Sequence, residues 1–465
     1  MKTNFAAVST VAALTVATLA AGTLAFAPTA HAKVPQVQAD RLGADLTPMG
    51  SEKAGTETPF GDIPAWTGGL TTIPEGVSYD PNDPLPNPFA SDPVLFTVNK
   101  GNMDTYADYL TDAYKEILSY YDGYFMNVKK SRRSCAFPEK VYEANKRNAT
   151  VGELVGEGNG VGKAIMGFPF PIPNNALEII WNHNLRYRSF KVTRQFASAP
   201  VTRSGEYTLT VTQDQAIIPW ADPTKDAAED LNNISIYYIM NTIAPTRSAG
   251  QVTLVHDSIN AAAEPRKAWQ YSPGTRRVRR APDIAYDNPG TNSDGLSTSD
   301  AFDGFNGAPD RYNWTVRGVS PKIVAFNDYQ AQLTPYEEYL QPLHLNQDKV
   351  RYEMHRVWTI EAVLKPDMRH IYSRRVKHLL ADDWTIANTE LYDGRGEMWR
   401  IQEIHGIQRY NVPLCNSGTE VVYDMQAGRY FATGMQNEEP AVNYFADELE
   451  VDTYTPGAIR QLGVR

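Results

Sequence analysis

The sequence predicts an α+β protein: a wide antiparallel meander preceded by a few amphipathic helices that cover one of its faces. Three observations carry this. Residues 189–433 hold about a dozen short stretches of alternating side-chain character, separated by turn residues at close intervals. Helical periodicity precedes them, within residues 101–188, so there is no βαβ alternation. Sequential strands joined by short turns pair antiparallel, and a sheet this wide must curl, split or close. No repeat near 40 residues points to a propeller.

Residues 1–32 read as a secretory signal. Lys2 supplies the positive start, residues 6–26 are apolar and small, and Ala30-His31-Ala32 matches a cleavage site. The mature chain is expected to begin at Lys33, outside the cytoplasm. Residues 33–100 form an extended arm rich in Pro and Gly, as in Ile63-Pro64-Ala65-Trp66-Thr67-Gly68-Gly69. Its Trp66, Phe89 and Phe96 suggest that it is pinned across a surface.

Residues 101–188 are the helical segment. The spacing of Tyr106, Leu110, Ala113 and Ile117 predicts a helix over 104–121, capped by Asp104. A second is expected over 138–148, with Pro138 in its first turn. A third follows Asn174 and Asn175, with Leu177, Ile180, Trp181 and Leu185 on one face. The glycine-rich stretch 152–167 has neither a P-loop nor a dinucleotide spacing and reads as a loop.

Residues 189–435 are the sheet. Strands are predicted over 190–198, 206–212, 234–243 and 251–258. A hairpin follows, in which Trp269 and Tyr271 alternate before the turn Ser272-Pro273-Gly274 and 276–280 returns. A long loop, 281–314, carries Asp283, Asp287, Asp294, Asp300, Asp303 and Asp310. Further strands are predicted over 351–364, 369–380, 384–392, 397–410, 420–424 and 429–433, and residues 436–465 are a C-terminal tail.

A net charge of −10 argues against nucleic acid as a partner. No His-Glu-x-x-His and no Gly-x-Ser-x-Gly occurs. His355 and His370 flank one turn and could hold a metal with Glu353 or Glu361; ordinary cross-strand polar pairing is the simpler reading. Any acid-rich chain offers carboxylate pairs such as Glu353 and Glu361, so these give no glycosidase signal. The acidic loop could hold Ca²⁺, but Arg276, Arg277, Arg279 and Arg280 just before it suggest internal arginine–aspartate ties, or contact with an anionic head group. The two cysteines, Cys135 and Cys415, are free to pair in an oxidising compartment, and the sequence does not show whether they meet. No catalytic residue, metal or cofactor is expected.

Several stretches are similar to a family of Gram-negative secreted proteins catalogued as a domain of unknown function, family thirteen twenty-nine. They include Leu46-Thr47-Pro48-Met49-Gly50, Pro169-Phe170-Pro171-Ile172-Pro173, Trp181-Asn182-His183, Tyr286-Asp287-Asn288-Pro289-Gly290, Phe305-Asn306-Gly307-Ala308-Pro309-Asp310-Arg311-Tyr312 and Tyr392-Asp393-Gly394-Arg395-Gly396. That family is grouped with the lipoprotein carrier LolA and its receptor LolB. The resemblance implies a LolA-like half-barrel with helices packed on its concave face. It also implies a periplasmic location beside an outer-membrane β-barrel and an RND-type transporter, and it implies no catalytic residues.

Three functions follow. The first is a carrier or docking factor for a lipid or other apolar cargo. The second is a structural adaptor of the outer membrane without cargo, and the third a hydrolase of envelope polymers. For the carrier, the ligand-binding candidates are Trp181, Tyr237, Trp269, Tyr271, Arg279, Arg280, Tyr352, Trp358, Ile360, Trp384 and Trp399. Arg279 and Arg280 are expected to tie the acidic loop over the mouth of the half-barrel.

Overall fold

Fifteen strands join in one sheet that stays open. The computed structural model describes residues 34–281 and 286–463; the signal segment 1–32 and Asp283 lie outside the described residues. The strands are β1 (Val94–Asn99), β2 (Phe125–Lys129), β3 (Lys191–Val201), β4 (Thr210–Ile217), β5 (Ile234–Ala244), β6 (Val252–Ser258), β7 (Lys267–Ser272) and β8 (Arg277–Arg280). They continue as β9 (Tyr312–Ala325), β10 (Tyr352–Leu364), β11 (Arg374–Leu380), β12 (Ile386–Tyr392), β13 (Met398–Arg409), β14 (Leu414–Asp424) and β15 (Arg429–Met435).

The sheet is two meanders. β10 to β15 pair in sequence, and so do β3 to β8. The join between them is not sequential: the last strand pairs antiparallel with the first, with Tyr430 opposite Val201 and Ala432 opposite Ala199. The fold is α+β with a large antiparallel sheet, as expected, but the long connection from β8 to β9 lets the chain lay down one half and then the other.

Some boundaries differ from the sequence reading. β9 is the longest strand and pairs with β10 from Tyr312 opposite Leu364 to Ala325 opposite Tyr352. Gly318 and Pro321 disguise it. A bulge between Val316 and Gly318 absorbs the glycine, and proline is tolerated because β9 is an edge strand. The acidic loop therefore ends before Tyr312. The expected strand 206–212 begins later, at Thr210, because a turn closed by Glu206 N–H donating to the Thr202 hydroxyl oxygen occupies its start.

Among the described residues, the α-helices longer than four residues are α1 (Asp112–Tyr120), α2 (Glu139–Val151), α3 (Ala176–Asn184) and α4 (Pro456–Leu462). Thr111, not Asp104, caps α1, its hydroxyl oxygen accepting from Tyr114 N–H. Residues Met103–Tyr109 form a separate 3₁₀ turn. Asn175 caps α3 in the same way, accepting from Glu178 N–H.

These helices are divided between the two faces of the sheet. Gln402 and Glu403 are adjacent in β13 and therefore point to opposite sides. Gln402 donates to the Ala301 carbonyl on the inner face. Glu403 accepts from the Tyr114 hydroxyl of α1 on the outer face, at 2.9 Å. The expected packing of the helices on the concave face thus holds for α3 and not for α1.

The arm is tied down along its length. Arg133 donates to the carbonyls of Glu52 and Lys53, Trp66 to that of Cys135, and Tyr410 to that of Pro86. Cys135 and Cys415 form a disulfide that links this region to β14. The C-terminal segment covers the outer face of the first meander, where Ala446, Leu449, Tyr454 and Ile459 pack on Ile217, Ile239 and Leu254. Among the described residues, no helix is long and apolar enough to cross a membrane.

Candidate functional site

Alternation along β3 to β6 presents one set of side chains to a cavity of about 250 Å³. Val192, Arg194, Phe196 and Ser198 come from β3, and Thr212, Asp214 and Ala216 from β4. Ile236, Tyr238 and Met240 come from β5, and Thr253, Val255 and Asp257 from β6. Trp220, Phe431 and Val442 extend the apolar wall, and Leu185, just after α3, borders one end.

Ion pairs punctuate this wall. Arg194 Nε donates to Asp214 at 2.7 Å, and the Tyr238 hydroxyl donates to the same carboxylate at 2.8 Å. Arg266 pairs with Asp257 at 2.7 Å and also donates to Asn306. Arg186 holds both carboxylate oxygens of Asp303, at 2.6 and 2.7 Å. Burial raises the Asp303 carboxyl, but the charges of Arg186 and Arg188 outweigh it and hold the group well below the usual carboxylate range. Glu420, beside it, is pushed up to about 8 by burial and by the negative charge of Asp303.

The acidic loop forms the rim. Thr291, Asn292, Ser297, Thr298, Phe302 and Asn306 all border the cavity. The loop does lie over the hollow of the sheet, but the expected tie to Arg279 and Arg280 is corrected. Both arginines are exposed and form no ion pair among the described residues. Other cations hold the loop instead: Arg375 on Asp300 at 2.6 Å, Arg429 on Asp294 at 2.6 Å, and Arg311 on Asp287 at 3.5 Å. Lys377 and Arg400 donate to the carbonyls of Gly304 and Gly295. Gly304 seats the loop on the sheet; a Cβ there would stand 2.8 Å from Ile386 Cβ and 2.9 Å from Ile404 Cδ1. Asp310 instead accepts from the Tyr286 hydroxyl at 3.0 Å.

None of the eleven sequence candidates lines the cavity. Tyr237, Trp269 and Tyr271 are on the opposite face, in the cluster under the C-terminal segment, where Tyr237 and Trp269 contact the His256 ring. Trp358, Ile360 and Trp384 are on the inner face but in the other meander, where Trp358 stacks on Trp384 and the indole of Trp384 donates to the Met49 carbonyl. Trp181 is buried, donating to the Gly158 carbonyl. Tyr352 belongs to a buried network with Tyr124, Gln347 and Glu403. Trp399 donates to Asp424.

Phe196, Thr212, Asp214, Tyr238 and Arg409 border the cavity and are not among those candidates. The alternation of β3 was the signal that could have found the first of these. Tyr237 and Tyr238 are neighbours, and a one-residue difference in a strand exchanges the faces.

The histidine and carboxylate pairs do not form sites. His355 bonds Glu353 and His370 bonds Asp300, so the two histidines serve different carboxylates. Glu353 and Glu361 are eight positions apart on one strand, roughly 27 Å at the rise of an extended chain.

The sequence profile of a family described as "Protein of unknown function (DUF1329)" matches residues 97–460. The chain belongs to this family. An uncharacterized protein of Pseudomonas aeruginosa is 44% identical to this DUF1329 chain over 438 residues, covering 92% of this chain and 94% of its own. A domain from Vibrio parahaemolyticus, described as a candidate outer membrane lipoprotein-sorting protein, is similar over 61% of this chain and 98% of its own, at 13% identity and a TM-score of 0.42. A LolA superfamily protein from Nitrosomonas europaea is similar over 61% of this chain and 98% of its own, at 10% identity and a TM-score of 0.37.

Proposed function

We propose that this DUF1329 protein is a periplasmic, non-catalytic carrier or docking factor for a lipid or other apolar ligand. The cavity carries this reading: about 250 Å³ walled by Val192, Phe196, Ile218, Ile236, Met240 and Val255. At ~30 Å³ for a group the size of a water it has room for on the order of eight methylenes. At about 0.8 kcal/mol each, their burial gives about 6 kcal/mol, or tens of micromolar. Binding of that strength is reversible, as handover requires. Export through the signal segment 1–32 and work beside an outer-membrane β-barrel and an RND-type transporter are parts of the same proposal, supported by the family resemblance.

The test is direct. The protein is purified from the periplasm under native conditions, extracted with organic solvent and analysed by mass spectrometry. A stoichiometric apolar compound is expected. Empty protein that also fails to bind any long-chain probe in solution would overturn the carrier reading, and a co-purifying barrel in its place would favour the adaptor.

A further inference from the structure

We infer that the cavity takes an amphiphile with an anionic head group, a carboxylate or a phosphate, and that Arg409 receives that head. This rests on the carrier reading and names the class of cargo.

Five arginines border the cavity: Arg186, Arg188, Arg194, Arg266 and Arg409. Arg186, Arg194 and Arg266 each meet a carboxylate at 2.6 to 2.7 Å, and Arg188 reaches Asp303 at 3.6 Å. Arg409 differs. It is 7% exposed at the end of β13. One terminal nitrogen donates to the Gln436 side-chain oxygen at 2.8 Å, its Nε has no hydrogen-bond partner, and no ion pair reaches it among the described residues. Asp83 and Glu439, which border a smaller adjoining cavity of about 30 Å³ with it, form no ion pair with it either.

A buried guanidinium without a counter-charge is costly, and a protein tolerates it where an anion completes it. The planar fork of arginine matches carboxylate or phosphate oxygens two at a time. The wall next to it is apolar: Phe431 and Val442 border the same cavity. A second unsatisfied group lies further along. Thr212 is fully buried in the cavity wall, and its hydroxyl has no partner. Met435 pairs with Ala197, and Phe196 with Thr212, so that hydroxyl stands two strands from Gln436.

Three probes of one chain length test this on the whole protein: hexadecanoate, hexadecyl phosphate and hexadecanol, each titrated by calorimetry. The wild type is expected to bind at least one of the two anions tenfold or more tighter than the alcohol, and which anion it is separates a fatty-acid head from a phosphate head. R409Q is expected to lose that preference and keep its alcohol affinity, with R409K between. Equal affinity of the wild type for all three probes, or a preference that survives R409Q, overturns the assignment and leaves the carrier intact. Binding of no probe at all overturns both. The wild-type comparison needs no variant to fold.

Discussion

The two meanders of the sheet share a backbone pattern and differ in what fills their inner faces. Through β10 to β12 and most of β13 that face is occupied. Arg375, Lys377, Arg400 and Gln402 bind the acidic loop, and Trp358 and Trp384 pack beneath the arm. In β3 to β6 the same face borders the hollow, which Glu420 of β14 and Phe431 of β15 continue, the loop rims and Leu185 borders at one end. A plug that must stay put is fixed by buried charge pairs, which are specific in direction and expensive to break. A wall that admits a ligand is mostly apolar. The difference teaches that the loop is one device with two ends, anchored on the filled half and bordering the empty one.

The disulfide gives the largest handle on the filled half. Cys135 and Cys415 close a loop of 280 residues. Replacing both with serine is expected to cost about 4–5 kcal/mol, read as a fall in melting temperature. An unchanged melting curve would show that β14 and the segment after β2 are held together without it.

Breaking the anchor comes next. Asp303→Asn leaves Arg186 buried without its charge partner and should cost about 3–5 kcal/mol. The loop at 286–311 should then become the first site of proteolysis. The pH dependence has a definite sign. The folded-state values of Asp300 and Asp303 both lie below their unfolded ones, because their arginines outweigh the effect of burial. The stability they supply is therefore present above the unfolded carboxylate value, about 4, and is lost as pH falls through the folded one. Wild-type stability should drop steeply in acid, and Asp303→Asn should show a shallower drop.

A paired comparison separates the halves. Ile360→Ala, in the filled half, should cost about 2–5 kcal/mol and leave ligand affinity unchanged. Phe196→Ala borders space that already exists, so it should cost less than the about 3–5 kcal/mol of a fully packed phenylalanine and weaken binding of a long-chain probe. The reverse ranking in calorimetry would mean that the hollow is on the wrong side.

The smallest effect is at Glu420. Its folded value, about 8, stands above the ordinary 4.5. Its contribution is thus present below the unfolded value and lost as pH rises toward 8. Glu420→Gln should flatten that loss, giving a variant with a higher melting temperature than the wild type at pH 8 to 9 and little difference at pH 5.

The sequence by itself determined the kind of elements and most of their order. Alternation in 351–364 and the cap at Asn175 are local signals, set by side-chain period and by backbone donors that need partners. The β7–β8 hairpin formed where its turn residues stand. The family, too, was legible, because the loop residues 286–312 form a distinctive string.

The tertiary structure alone decided which half is empty. The pairing of β15 with β3 joins residues more than two hundred positions apart, and no local period reports it. Tyr237 and Tyr238 are equally plausible in the sequence, and only the register of β5 against β4 sends the second to the cavity and the first beneath the C-terminal segment. Arg279 and Arg280 adjoin the acidic loop along the chain, while the arginines that hold it come from α3's C-terminal end, β11 and β15. Charges pair across space, and the strand order that brings them together is a long-range property.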